Sequence, residues 1–150
     1  MAQKSSIKLE REFFRAFFAA LVLKGCSRVN WRSPETNVRF RRAYNCLVTQ
    51  RGESEDLDRL LYRLRPDPIS GSSPALHANL VHLQPGNVSA RNPGYQDVTF
   101  AESDESAKEV LSSVADPLRS AILNAAEEFV KAERGNVRAT ERIPNPASAS

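Results

Sequence analysis

Between Phe13 and Leu23 the chain is apolar at every position except Arg15. A run of that length is far short of the roughly 20 residues needed to cross a bilayer. It therefore has to be buried by the rest of the protein. Ser5 or Ser6 supplies an N-cap and Gly25 a left-handed stop, which predicts a helix ending near Lys24. Leu9, Phe13, Phe17, Ala20 and Leu21 share one side, and Phe14, Phe18 and Val22 widen that stripe until only the first two turns keep a clearly polar face. A helix so apolar at its C-terminal end must be covered by other elements, which predicts that it is the central one.

Leu23-Lys24-Gly25-Cys26 loosely resembles a lipoprotein cleavage site, but Glu10 and Glu12 lie upstream, Arg15 interrupts the apolar run, and Lys24 stands where a small residue is needed. The expectation is a cytoplasmic protein with no membrane partner. Cys26 and Cys46 are too few for a disulfide framework and too far apart for a zinc motif, so both read as small apolar residues in a reducing compartment.

The remaining segments repeat one signature, a capping residue followed by leucine or aromatic residues at helical spacing. Ser33-Pro34-Glu35 opens a helix with Phe40, Tyr44 and Leu47 inward, closed by Gly52, although Val38-Arg-Phe-Arg also alternates like a strand. Ser54-Glu55-Asp56 opens another, with Leu57, Leu60, Leu61 and Leu64 inward and Pro66 as its end. Ser73-Pro74 starts a fourth with Leu76, Leu80 and Leu83 on one face, in competition with an alternating strand reading of Leu76–Leu80. Ser103-Asp104-Glu105 starts a fifth with Ala107, Val110, Leu111 and Val114 inward. Asp116-Pro117 starts a last one with Leu118, Ile122, Ala125, Phe129 and Ala132 inward and Gly135 as its stop. The fold class expected is mainly α: a compact bundle of five or six helices with an irregular loop region at about 84–102, holding at most one short strand at Asp97–Phe100. At 150 residues this is one helical domain over 1–140, followed by a flexible C-terminal tail over 141–150.

No arrangement typical of catalysis stands out. His77 and His82 are five apart, about 140° around a helix and on opposite faces of a strand, so they do not share a metal or a proton. Glu53, Glu55, Asp56 and Asp58 sit at a helix start, where the dipole favours negative charge, and so do Asp104 and Glu105. The six glycines form neither a phosphate-binding loop nor a dinucleotide turn, and no G-x-S-x-G elbow occurs. The expectation is a non-enzymatic protein without cofactor or metal.

Charge is the feature above background. Residues 1–65 hold 14 Lys/Arg against 7 Asp/Glu, and residues 66–150 hold 7 against 11, so a net +7 and a net −4 lie behind the overall +3. Arg28, Arg32, Arg39, Arg41, Arg42 and Arg51 fall in a segment with one acid, Glu35, and with Trp31, Phe40 and Tyr44 interleaved. On a helix, Arg39 and Arg42 share a side and Arg41 lies off it. Arg28 and Arg32 flank Trp31 in a loop, where guanidinium groups clamp phosphates and an exposed indole stacks on a base. Arg59, Arg63 and Arg65 extend the surface on the next helix. The plain alternative is a solvated face whose excess charge is neutralised by the acidic second half.

These features predict an accessory subunit of a larger nucleoprotein assembly. Arg28, Trp31, Arg32, Arg39, Arg41, Arg42, Arg51, Arg59 and Arg63 would contact nucleic acid, single-stranded and independent of sequence, while the acidic helices face other protein subunits. One alternative is a protein–protein adaptor or homo-oligomer joining basic to acidic faces. Another is a small enzyme assembled from dispersed residues such as His77, His82, Asn79 and Tyr95.

Overall fold

The computed structural model describes residues 5–30, 33–83, 88–91, 97–100 and 103–142, with 81–83, 88–91, 97–99 and 132–142 described for the backbone alone. The first helix, α1, spans Ser6–Leu23, and the Ser5 hydroxyl accepts the Lys8 N–H at 3.2 Å. At its other end the Cys26 N–H donates to the Leu21 carbonyl (2.9 Å) and the Gly25 N–H to the Val22 carbonyl (3.0 Å), with Gly25 at φ 87°. That crossed pair is a Schellman stop, which needs the left-handed residue glycine provides. From Phe13 to Leu21 every residue but Arg15 is buried.

A short strand, β1 (Arg28–Asn30), follows, and then α2 (Pro34–Val48), capped by the Ser33 hydroxyl accepting the Glu35 N–H at 3.2 Å. The alternating Val38–Arg41 stretch is helical. The third helix, α3 (Glu55–Leu64), buries all four of its leucines, and Ser54 caps it through Leu57 N–H at 2.9 Å. In α4 (Pro74–Leu83) the Ser73 hydroxyl accepts the Leu76 N–H at 3.2 Å, and Leu76 and Leu80 are buried, so the cap and the helical spacing prevail over the strand reading. Two strands, β2 (Val88–Arg91) and β3 (Asp97–Phe100), precede α5 (Asp104–Ser112) and the long α6 (Leu118–Arg142).

The protein is mainly α, as the sequence predicts, but the strand content differs from expectation. Asp97–Phe100 is a strand and forms the centre of a three-stranded antiparallel sheet in the order β1-β3-β2, with Val29 opposite Val98 and Val88 opposite Phe100. The segment before Trp31 is therefore partly strand, not loop. Its Val29 is buried, and the Phe100 ring stacks on Phe18 at 4.8 Å, so the sheet closes over the end of α1. Gly135 does not stop the last helix. The run Lys131–Arg142 is rich in strong helix formers, and an interior glycine costs about 1 kcal/mol, less than the neighbouring residues recover. The helix thus extends two residues into the stretch 141–150 expected as tail, and residues 143–150 lie outside the described ones.

α1 is the centre of the assembly, packed against α3, α4, α5 and α6, while α2 lies along α6. Val110 and Val114, expected inward, are only half-buried.

Candidate nucleic-acid interface

The nine residues expected to form one basic surface divide into groups. Arg39 is inside. It is 7% exposed, its guanidinium lies over the Phe129 ring at 4.1 Å, its Nε donates to the Phe129 carbonyl (3.3 Å), and its Nη2 approaches the Cys26 sulfur at 3.6 Å. The buried arc of α2 runs through Thr36, Arg39, Phe40, Ala43, Tyr44 and Leu47. Thr36 and Ala43, the small neighbours of Arg39 one turn away on either side, leave room for α6 to come down over the guanidinium. Arg39 is thus a packing residue and is withdrawn from the interface. Arg39→Met is expected to lower stability by about 1–2 kcal/mol, the scale of a desolvated cation–π contact with a charged hydrogen bond, while Arg41→Ala and Arg42→Ala stay within about 0.5 kcal/mol of wild type. Chemical denaturation of the three variants checks this.

Arg59 and Arg63 are also turned away from the expected surface. They project from the side of α3 that faces α1. Arg59 Nη2 donates to the Ser6 hydroxyl at 3.3 Å, and its Nη1 lies 3.7 Å from Asp56. Arg63 Nε donates to Glu10 Oε1 at 2.9 Å, and the other Glu10 oxygen accepts from Asn79 Nδ2 at 2.8 Å. Glu10 is a buried carboxylate on α1, so the guanidinium of Arg63 serves to satisfy it.

Arg28, Arg41, Arg42 and Arg51 are exposed. Trp31 and Arg32 lie outside the described residues. Arg28 stands on β1, opposite Thr99. The other three form a set. On the α2 wheel Arg41 and Arg42 flank Val38 (51% exposed) and Asn45, diametrically away from the buried arc, and Arg51 follows at the C-terminal end of the helix. α2 and α3 are neighbours: the Tyr44 hydroxyl, on the buried arc of α2, donates to the Leu61 carbonyl at 3.2 Å, and the Arg41 guanidinium lies against Gly71 (φ 75°) in the loop that follows α3.

Arg65, the exposed C-cap of α3, begins that loop, and Tyr62 (81% exposed) lies roughly opposite the buried leucines of α3, toward solvent. Among the described residues no carboxylate pairs with Arg41, Arg42, Arg51 or Arg65. Two bordering carboxylates are engaged by the backbone. Asp58 accepts the Gly52 N–H at 2.9 Å, and Asp67 accepts those of Ile69 and Ser70, which hold its carboxyl below the usual range.

Between α1, the start of α3, the end of α5 and the start of α6 is a cleft of about 910 Å³ that sequence reading missed. Half-buried Val110, Val114 and Leu118 line it above Leu9, Phe13 and Ile122. Around them stand Glu12 of α1, Glu55 and Asp56 of α3, Glu109 of α5 and Asp116 ahead of α6, with Arg15 the one basic residue in the lining. Asp116 is held ionised below the ordinary carboxylate range, first by the Ser120 hydroxyl (2.7 Å), then by the Ser120 N–H (3.1 Å).

The dispersed residues of the enzyme alternative do not come together among the described ones. Asn79 is buried, with Nδ2 shared between Glu10 and the Ala75 carbonyl, and His77 is half-buried elsewhere on α4. The side chain of His82, and Tyr95 as a whole, lie outside the described residues. Cys46 is half-buried, and burial, reinforced by nearby Glu128, pushes its thiol up toward the protonated form. No helix among the described residues is long and apolar enough to cross a membrane. The chain matches no family model, no curated protein and no solved structure at a significant level.

Proposed function

We propose that the protein is a non-catalytic accessory subunit of a nucleoprotein assembly, contacting a single-stranded nucleic acid through Arg41, Arg42, Arg51 and Arg65. The observation that carries this reading is the outer face of α2 and the adjoining end of α3. Four arginines there are exposed, with no carboxylate partner among the described residues, and Tyr62 of α3 is exposed as well. Arginine is suited to phosphate because its planar fork donates two parallel hydrogen bonds. Tyr62 offers a ring on which any base can stack, so the contact is independent of sequence. Stacking on an aromatic ring requires an unpaired base, which favours a single strand over a duplex.

The test is fluorescence anisotropy with a labelled mixed-sequence oligonucleotide across a salt series. Four phosphate contacts to a single strand give a slope of log K against log salt of about −3, and Arg41→Glu with Arg42→Glu is expected to reduce its magnitude by at least about 1.4. Tyr62→Ala is expected to weaken binding by about 1–3 kcal/mol with little change in slope. A complete lack of binding at low salt, or binding indifferent to Arg41 and Arg42, overturns the proposal. The adaptor reading has an observation of its own in the cleft lined by Glu12, Glu55, Asp56, Glu109 and Asp116.

A further inference from the structure

We infer that Ile69 is a wedge that inserts between neighbouring bases of the strand held by the arginine face. The inference rests on the reading of that face as a nucleic-acid contact and assigns a role to its apolar component. Ile69 is 96% exposed, the most exposed large hydrophobic residue among the described ones. Single aliphatic residues on a surface are common and need no function. Two features set this one apart: how it is held and what stands beside it.

The loop that carries Ile69, between α3 and α4, is closed by its own hydrogen bonds. The Asp67 N–H donates to the Ser72 carbonyl (2.9 Å), and the Gly71 N–H donates to the Asp67 carbonyl (2.8 Å). The Asp67 carboxylate accepts the N–H of Ile69 at 2.7 Å and that of Ser70 at 3.2 Å, and the Ser70 and Ser72 hydroxyls lie 2.9 Å apart. Pro66 and Pro68 fix φ on either side of Asp67. The isoleucine is thus displayed on a backbone with little freedom left, so little ordering entropy is lost when its tip becomes covered.

Charge identifies what the tip meets. Arg65 begins the loop, and the Arg41 guanidinium lies against Gly71 near its other end. Neither arginine has a carboxylate partner among the described residues, and the carboxylate of the loop, Asp67, is turned to its own backbone. An aliphatic tip between two guanidinium groups that hold phosphates is within reach of the bases those phosphates carry. Isoleucine is one of the side chains that proteins insert between base steps, and displacing a base costs least where the strand is already unpaired.

The probe is a single-stranded oligodeoxyadenylate with 2-aminopurine at regular intervals, whose fluorescence is quenched by stacking and rises when a neighbouring base is displaced. Anisotropy of a fluorescein-labelled copy reports binding itself. With the full chain, the 2-aminopurine signal is expected to rise toward saturation along the binding curve. Ile69→Ser is expected to lose most of that rise and to weaken binding about five-fold, the effect of half-burying an isoleucine. Its salt dependence is expected to stay as in wild type, because no charge changes. Ile69→Leu keeps both the rise and the affinity.

Binding without a rise, or a rise that survives in Ile69→Ser, overturns the inference while the arginine reading stands; the isoleucine is then a surface for protein. The absence of binding at low salt overturns both.

Discussion

Replacing Phe17 with alanine is expected to lower the free energy of unfolding by about 3–5 kcal/mol. The side chain is fully buried, and its ring meets five others: Phe13 (5.7 Å, stacked), Phe14 (6.4 Å), Phe18 (6.1 Å), Phe40 (5.8 Å) and Phe129 (5.7 Å, edge-on). Two of those partners belong to α2 and α6. The truncation therefore removes both a transfer contribution and the packing that ties the central helix to its two outer neighbours, and the rings around the hole are too constrained by one another to collapse into it. Total stabilities of domains this size are about 5–15 kcal/mol, so the variant sits near its unfolding threshold at physiological temperature. Urea unfolding followed by circular dichroism measures it, with Ile7→Ala, a half-exposed residue on the same helix, as the control expected within about 0.5 kcal/mol. A loss below about 1 kcal/mol for Phe17→Ala contradicts the central position assigned to α1.

That centrality was legible from the sequence because burial of an all-round apolar helix follows from its own residues. The other helices were legible because two local signals coincide at each: a serine whose hydroxyl accepts an N–H of the first turn, and apolar residues at helical spacing. The sheet had no comparable signal. Its strands are three or four residues long, and β1 finds its partner in β3, almost seventy residues later. Pairing at such a distance is decided by which backbone edges the packed helices bring together, and propensity does not report that. Gly135 misled for the opposite reason. A glycine stops a helix only when the chain beyond it has somewhere else to go, and Lys131–Arg142 is a strong helix former on both sides.

The arginines show how far composition reaches. It marks a basic region but not the direction of each side chain, and Arg39, Arg41 and Arg42 take different directions within four positions. A signal for Arg39 was present in the small residues Thr36 and Ala43 one turn either side, which widen the buried arc toward it. Arg59 and Arg63 were assigned outward because the partner that draws Arg63 in, Glu10, lies 53 positions earlier on what looks like the polar face of α1. Tyr62 went unnoticed because an aromatic beside three leucines reads as core. The cleft was invisible because four separate elements contribute its lining, and Glu55, Asp56 and Asp116 were each accounted for locally by a helix start.

Glu10 and Arg63 carry the second large effect. Arg63→Met is expected to destabilise by about 2–3 kcal/mol, below the ~3–5 kcal/mol typical of breaking a fully buried pair because the guanidinium side is partly in solvent. The side chains of Arg63 and Glu10 are 35% and 10% exposed, so removing the arginine strands the more deeply buried charge, leaving it, among the described residues, the Asn79 amide at 2.8 Å. Glu10→Gln removes charge but keeps an acceptor for Arg63, whose guanidinium can reach water, and is expected to cost only about 1 kcal/mol. The double replacement Glu10→Leu with Arg63→Met leaves no stranded charge and is expected to recover most of the loss, giving a coupling of at least about 1 kcal/mol in a double-mutant cycle. Oligonucleotide affinity should follow the opposite pattern from stability: unchanged in Arg63→Met, reduced in Arg41→Glu with Arg42→Glu. If Arg63→Met instead abolishes oligonucleotide binding in a fully stable protein, α3 presents its arginines outward in solution, and the division of the basic residues between core and interface has to be redrawn.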